Sequence, residues 1–181
     1  MKVYIIGVGL IGGSIAKDLI NLIDYCRWPP AGKRGVGFSR ANLFGEYFSD
    51  YYQEAQSPLI IAMIETKMGI YNLDEILSVP NLTGVYIGPA DMSISFGAKP
   101  QFDVKEDPVY SNIELILKKT KEHGKIAGIQ NGTTKYAKEM IDLGFQLVTI
   151  SSDFRSMNSY AQNIVNDMKK LDNKEFKSES Y

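Results

Sequence analysis

Leu59-Ile60-Ile61-Ala62-Met63-Ile64 is an unbroken apolar run that ends at an acid, Glu65, and Gly84-Val85-Tyr86-Ile87-Gly88-Pro89-Ala90 repeats the arrangement ahead of Asp91. Both runs are too short for helices, are rich in β-branched residues, and are apolar at consecutive rather than alternate positions. Strands buried on both faces read this way, and such strands belong to parallel sheets. Between them, Met68 to Leu77 carries its apolar residues at helical spacing. Strand, helix, strand is the order that a parallel pair requires, because the chain must cross back before the second strand can start.

The same alternation continues outward. Toward the C-terminus the pattern predicts a helix over Val109 to His123, a strand over Ile126 to Ile129, a helix over Thr134 to Leu143, a strand over Leu147 to Ile150 and a helix over Ser156 to Leu171. Toward the N-terminus it predicts a strand over Lys2 to Val8 and a helix from about Gly12 to Arg27, stopped by Pro29-Pro30, which cannot continue a helix. A loop with Gly32, Gly35 and Gly37 follows, then an irregular or helical stretch from Ala41 to Glu54. The class is α/β, with about five strand–helix units, where a closed (β/α) barrel needs eight and typically ~250 residues. The expectation is a partial (β/α) TIM-type barrel. It divides into residues 1–24, a strand–helix unit with a glycine turn, residues 25–171, the partial barrel, and a polar tail over 172–181 that is expected to fray.

The totals fit one ordinary domain: 181 residues, with 20 Lys plus Arg against 21 Asp plus Glu. A formal net charge of -1 gives no field that would attract a phosphate backbone, so nucleic acid is not an expected partner. The single cysteine, Cys26, has no partner for an internal disulfide and no Cys/His spacing for zinc, which suits a reducing, cytoplasmic setting. The apolar stretch Val3 to Ala16 is glycine-rich and shorter than the ~18 residues a membrane span needs, so no membrane association is expected.

Glu65 and Asp91 each sit directly past a strand, at the carboxyl edge where α/β sheets and barrels bind their ligands. One reading is that each acid caps the helix that follows. The other is that the pair holds a hard divalent cation, Mg²⁺ or Mn²⁺, which takes oxygen ligands and relieves the repulsion between two carboxylates. Gly88, Pro89 and Ala90 form the corner before Asp91, where the backbone can approach a ligand and its N–H groups can meet an anion.

With these residues in view, the chain from about Tyr25 to Leu171 resembles the HpcH/HpaI aldolases, divalent-metal-dependent enzymes that act on 2-keto-3-deoxy acids. Four segments carry the resemblance: Arg27-Trp28-Pro29-Pro30-Ala31-Gly32-Lys33-Arg34-Gly35-Val36-Gly37; Met63-Ile64-Glu65-Thr66 with Asn72-Leu73-Asp74-Glu75-Ile76; Ile87-Gly88-Pro89-Ala90-Asp91-Met92-Ser93; and Leu143-Gly144-Phe145 leading to Ser152-Asp153. It corresponds to the later strands of such an enzyme. The resemblance implies a class II carbon–carbon lyase giving pyruvate and an aldehyde, with Glu65 and Asp91 as metal ligands and Gly88, Pro89 and Ala90 in the substrate pocket. It also implies a small-molecule keto acid as substrate and assembly into homo-oligomers. Three departures stand out. Met63 occupies a position where many members have glutamine, Ser151 one where they often have glycine, and the family's catalytic histidine and substrate-gripping arginine come from early strands with no counterpart here. His123, the only histidine, is expected at a helix end on the opposite face from Glu65 and Asp91, solvated rather than catalytic.

Gly7-Val8-Gly9-Leu10-Ile11-Gly12 follows a strand and opens a helix, the context that a dinucleotide fingerprint requires. Ile6 to Ala16 also resembles the start of prephenate dehydrogenases. An NAD(P)-binding oxidoreductase using Gly7, Gly9 and Gly12 is therefore the second hypothesis; the other meaning of these glycines is a tight turn in a barrel unit. A non-catalytic chimera or assembly module is the third. Phe44, Tyr47, Phe48, Tyr51 and Tyr52 recur at helical spacing and read first as core, and as an oligomer contact second. Lys118-Lys119-Thr120-Lys121 reads as the solvated side of a helix whose apolar side holds Ile113, Leu115, Ile116 and Leu117, and Ser152-Asp153 either caps the last helix or joins the active edge.

Overall fold

The computed structural model describes residues 3–7, 15–35, 37, 48–54 and 56–178. Two compact units divide it, Met1–Thr149 and Ile150–Tyr181. The first is built on strands β1 (Val3–Gly7), β2 (Leu59–Ile64), β3 (Gly84–Ile87), β4 (Ile126–Asn131) and β5 (Leu147–Ile150), which follow one another across a single sheet in chain order. β1 to β4 pair in parallel, with Val3 opposite Leu59, Ile64 opposite Ile87 and Ile87 opposite Ile129. Sequential order with a helical crossover at each step is the path of a (β/α) barrel. A dinucleotide domain reverses its strand order at a switch point, and this sheet has none among the described residues.

The helices of the first unit are α1 (Ile15–Cys26), α2 (Phe48–Glu54), α3 (Lys67–Tyr71), α4 (Leu73–Leu77), α5 (Pro89–Ser95), α6 (Val109–Glu122) and α7 (Thr134–Leu143). One row of side chains faces them from the sheet: Ile60, Ala62 and Ile64 on β2, Val85 and Ile87 on β3, Ala127 and Ile129 on β4, each at most 1% exposed. Against that row pack Leu19 and Ile23 of α1, Leu73, Ile76 and Leu77 of α4, Ile113 and Ile116 of α6, and Met140 of α7, in one continuous core. Fully burying a side chain of this kind contributes roughly 1.5–3 kcal/mol, so this layer is a large favourable contribution to folding of the unit.

The expected strands over 59–64, 84–87 and 147–150 and the helix over 134–143 are found with those bounds. The helix expected over Met68 to Leu77 is instead two short ones, because Asn72 leaves helical geometry, at φ -95° and ψ 17°, and its side chain bonds back to the Met68 carbonyl. Leu115, expected on the apolar side of α6, is 38% exposed, since it lies one position from the buried Ile116 and so turns about 100° away from the core. Thr120, in the basic run, is buried, its hydroxyl bonded to the Ile116 carbonyl at 2.6 Å. The second unit is helix α8 (Asp153–Ser178), so the polar segment expected to fray from Asp172 is helical as far as Ser178, and residues 179–181 lie outside the described residues.

The loop after α5 is fastened at the carboxyl edge of β4. The Asp103 carboxylate accepts from the Gly132 backbone N–H at 2.7 Å and the Thr133 hydroxyl at 2.6 Å, while Thr133 caps α7 by accepting from the Tyr136 N–H. Tyr136 then donates its hydroxyl to the Val104 carbonyl. Two charge-assisted bonds hold one loop to another, so Asp103→Ala is expected to lower stability by about 1–3 kcal/mol, read as a shift of the urea midpoint with unchanged slope. A midpoint equal to wild type would show that the loop is held by its other contacts.

Candidate metal centre

Successive residues of a strand point to opposite sides of a sheet, so Ile61, Met63 and Glu65 share the side of β2 turned away from the helices, as do Tyr86 and Gly88 next to them. The burial agrees: Ile61 and Tyr86 are buried yet stand outside the helix-facing core. Glu65 therefore rises from the inner face at the carboxyl end of β2, one strand from the segment that carries Asp91.

Gly88 determines how close the two strand ends come. A Cβ placed on it would stand 2.9 Å from Glu65 Oε2 and 3.3 Å from Glu65 Cβ, with Met63 Sδ at 3.8 Å. The Glu65 carboxylate thus occupies the space that any other residue at position 88 would fill. Gly88 donates its N–H to the Ile64 carbonyl and ends β3, and Pro89 then starts α5 at the helical position that tolerates a missing N–H. Asp91 falls in the first turn of that helix.

Neither acid is a side-chain cap, although Asp91 sits in the first turn of α5, where a helix N-terminus favours a negative charge. The cap of α3 is Thr66, whose hydroxyl accepts from the Gly69 N–H at 3.1 Å, and the cap position of α5 is Gly88, with no side-chain cap bond. Burial pushes the Glu65 carboxyl above the usual carboxylate range, and the charge of Asp91 pushes it the same way. A half-buried carboxylate within electrostatic reach of a second one, at the carboxyl edge of a parallel sheet, belongs to a donor set that suits a hard divalent cation. Among the described residues no third His, Cys, Asp or Glu joins them, which leaves the remaining positions around an ion to water and substrate oxygens.

The other expected residues are distributed as follows. His123 is the C-cap of α6, with Nε2 3.5 Å from Asp74 Oδ1 and Lys119 paired to the same carboxylate, so it ties α6 to α4 on the outer layer. Gly7 ends β1 opposite Met63, whereas Gly9 and Gly12 lie outside the described residues, as do Phe44 and Tyr47. Tyr51 is buried edge-on against Trp28, with the Arg34 guanidinium against both rings and bonded to the Tyr51 hydroxyl. Asp153 opens α8 in the second unit and accepts from the Phe154 N–H. Ser151, expected as a departure from glycine, adopts φ 58°, the left-handed conformation that glycine enters without steric cost. Three features were not anticipated: helix α5, the Asp103 clamp, and an inner-face cluster of Tyr86, Gln130 and Thr149. Gln130 carried a usable signal, a polar residue directly after a strand's apolar run.

A parallel sheet in barrel order with an acidic pair at its carboxyl edge defines a (β/α)-barrel protein with a candidate metal site. More narrowly, the chain belongs to the HpcH/HpaI aldolase/citrate lyase family, whose sequence profile matches residues 14–159. It is 34% identical over 157 residues to the hydroxypyruvate/pyruvate aldolase of Rhizorhabdus wittichii, covering 86% of this chain and 61% of that protein. To the 5-keto-4-deoxy-D-glucarate aldolase of Enterobacter sp. it is 30% identical over 155 residues, covering 85% and 60%. The crystal structure of an HpcH/HpaI aldolase from Desulfitobacterium hafniense superposes with a TM-score of 0.75 at 22% identity, over 92% of this chain and 63% of that one. The chain thus spans about three fifths of the length of the relatives it matches. The family match begins past the glycine run, and the likeness of the first residues to prephenate dehydrogenases finds no support in it.

The raised Glu65 pKa fixes a sign. Between the ordinary carboxylate pKa and the raised value, the folded chain keeps a proton that the unfolded chain has released, so metal-free stability falls as pH rises through that window. Glu65→Gln removes this slope. It should match wild type below the ordinary glutamate pKa and exceed it at neutral pH in urea denaturation with a chelator present; a loss of stability at neutral pH would mean that the carboxylates are not opposed.

Proposed function

We propose that this chain carries the metal-binding part of a class II carbon–carbon lyase that cleaves 2-keto-3-deoxy acids to pyruvate and an aldehyde, with Glu65 and Asp91 as the ligands of Mg²⁺ or Mn²⁺. The observation that carries this reading is the Glu65 carboxylate lying in the space left open by Gly88, within electrostatic reach of Asp91. Relatives whose names describe pyruvate and keto-deoxy acid aldolases support the substrate class.

When bound, a divalent ion supplies Lewis acidity toward the keto and carboxylate oxygens of the substrate and so stabilises the negative charge that develops as the carbon–carbon bond breaks. The residues of the chain position the rest. Gly88 commits its own N–H to Ile64, and Pro89 has none, so of the corner residues the amides of Ala90 and Asp91 remain. The first turn of a helix leaves such amides without intrahelical acceptors, and they are the donors we assign to the keto acid's carboxylate. Gly88, Pro89 and Ala90 shape the pocket wall, and Met63 gives it an apolar flank beside Glu65. Self-association is part of the same proposal. Phe154, Met157, Tyr160, Ile164 and Met168 recur at three- and four-residue spacing along α8 and are exposed, an arrangement that suits burial against another chain.

Thermal unfolding of the chain alone, with Mn²⁺ plus pyruvate, and with NADH or NADPH tests the site. At about 100 times its dissociation constant a ligand stabilises the fold by about 2.7 kcal/mol. A shift with Mn²⁺ and pyruvate that disappears in Glu65→Ala and Asp91→Ala is expected. A shift with dinucleotide alone would replace the lyase reading with an oxidoreductase.

A further inference from the structure

Three polar side chains meet on the inner face beside the acidic pair. Tyr86 on β3 donates its hydroxyl to Gln130 Oε1 at 2.8 Å, Thr149 on β5 donates to the same oxygen at 2.7 Å, and the two hydroxyls are within bonding contact of each other. The Tyr86 ring reaches this position by crossing β4 over Gly128, where a Cβ would stand 2.7 Å from the ring carbon Cδ2. Gln130 and Thr149 are half-buried, so the cluster opens onto the inner face instead of being sealed in the core.

The register relates the cluster to the metal site. Ile64, Ile87 and Ile129 stand side by side, so the residues that follow them, Glu65, Gly88 and Gln130, form the next level up. Strands lie ~4.8 Å apart, which puts the backbones of Glu65 and Gln130 about 10 Å from each other on a concave face. Position 88, between them, has no side chain. The Glu65 carboxylate lies over it instead, so a ligand anchored on that carboxylate starts above Gly88, one strand from the cluster.

Proton counting says what the cluster can recognise. Gln130 Oε1 only accepts, and each hydroxyl carries a single proton, so two protons serve three oxygens. If both point at Gln130, the hydroxyl oxygens keep their lone pairs; if one points at the other, the second hydroxyl still has lone pairs to offer. In either arrangement the oxygens of the cluster can accept from a hydrogen-bond donor. We propose that Tyr86, Gln130 and Thr149 form the subsite that recognises a hydroxyl on the aldehyde half of the substrate, making this site selective for hydroxylated keto acids over their deoxygenated analogues. This rests on the lyase reading of the Glu65–Asp91 site.

The test is calorimetric titration of the Mn²⁺-loaded chain with 2-keto-3-deoxygluconate and with 2-ketohexanoate, which has the same carbon chain without the hydroxyls. The hydroxylated acid should bind about tenfold more tightly, the effect of roughly one net hydrogen bond. Tyr86→Phe and Thr149→Val, which keep ring and shape, should each reduce that preference while leaving the affinity for 2-ketohexanoate unchanged. Equal affinity of wild type for the two acids, or variants that weaken both alike, would overturn the subsite and leave the metal site standing. If neither acid binds, or if binding survives Glu65→Ala, the lyase reading fails and the subsite fails with it.

Discussion

Two like charges held at neighbouring strand ends oppose the folded state, and the arrangement of this chain is easiest to understand from that cost. Glu65 is set by β2 and Asp91 by the turn out of β3, so they stay together only while those strands stay in register, Ile64 against Ile87. Their register is enforced from the other side of the sheet. Slipping β3 by one residue would turn Val85 and Ile87 out of the core and bring Tyr86 into it. The apolar row buried under α4 and α6 thus does two things at once: it stabilises the unit and it keeps two carboxylates close enough that a proton on Glu65, or a bound cation, would relieve them.

β3 connects these roles residue by residue. Val85 and Ile87 face the helices, Tyr86 crosses to the inner cluster, and Gly88 makes way for Glu65 before Pro89 turns the chain into α5. A four-residue strand buried at every position leaves little freedom to change one role without disturbing another. The Asp103 clamp extends the same economy to the loops, tying the segment after α5 to the start of α7 at the edge where the candidate site lies.

The strands, most helices and both acids were legible in the sequence because each had a short-range signature: β-branched runs for the strands, 3.6-residue spacing for α6 and α7, a carboxylate directly after each of two runs. What was illegible depends on contacts between distant residues. Pro89 to Ser95 reads as a loop after a strand, and nothing local shows that Ser93 will bond back to Pro89 inside a helical turn. Tyr86 and Thr149, 63 residues apart, become partners only once β4 lies between them. The glycine run at the start shows the opposite hazard. Its local pattern fits a dinucleotide turn, yet among the described residues the next strand is β2, with no reversal of strand order to create the crevice such a ligand needs.

The departures from the family pattern acquire a physical meaning beside this geometry. Ser151 adopts the left-handed backbone conformation that glycine enters freely, at a cost of roughly 1–2 kcal/mol. Met63 is a different kind of change. An amide at this point of β2 would offer a donor and an acceptor beside Glu65, whereas a thioether offers neither in useful strength. The inner face nevertheless has an amide, Gln130, two strands away at the level of Glu65 and held by two hydroxyls. The hydrogen-bonding groups of this face thus lie beyond Gly88 and not on the flank of Glu65. On the proposed lyase reading, a substrate would meet an apolar wall next to its keto group and a polar one at its distal end, an order of contacts that would suit an acid whose hydroxyls lie beyond the bond to be broken.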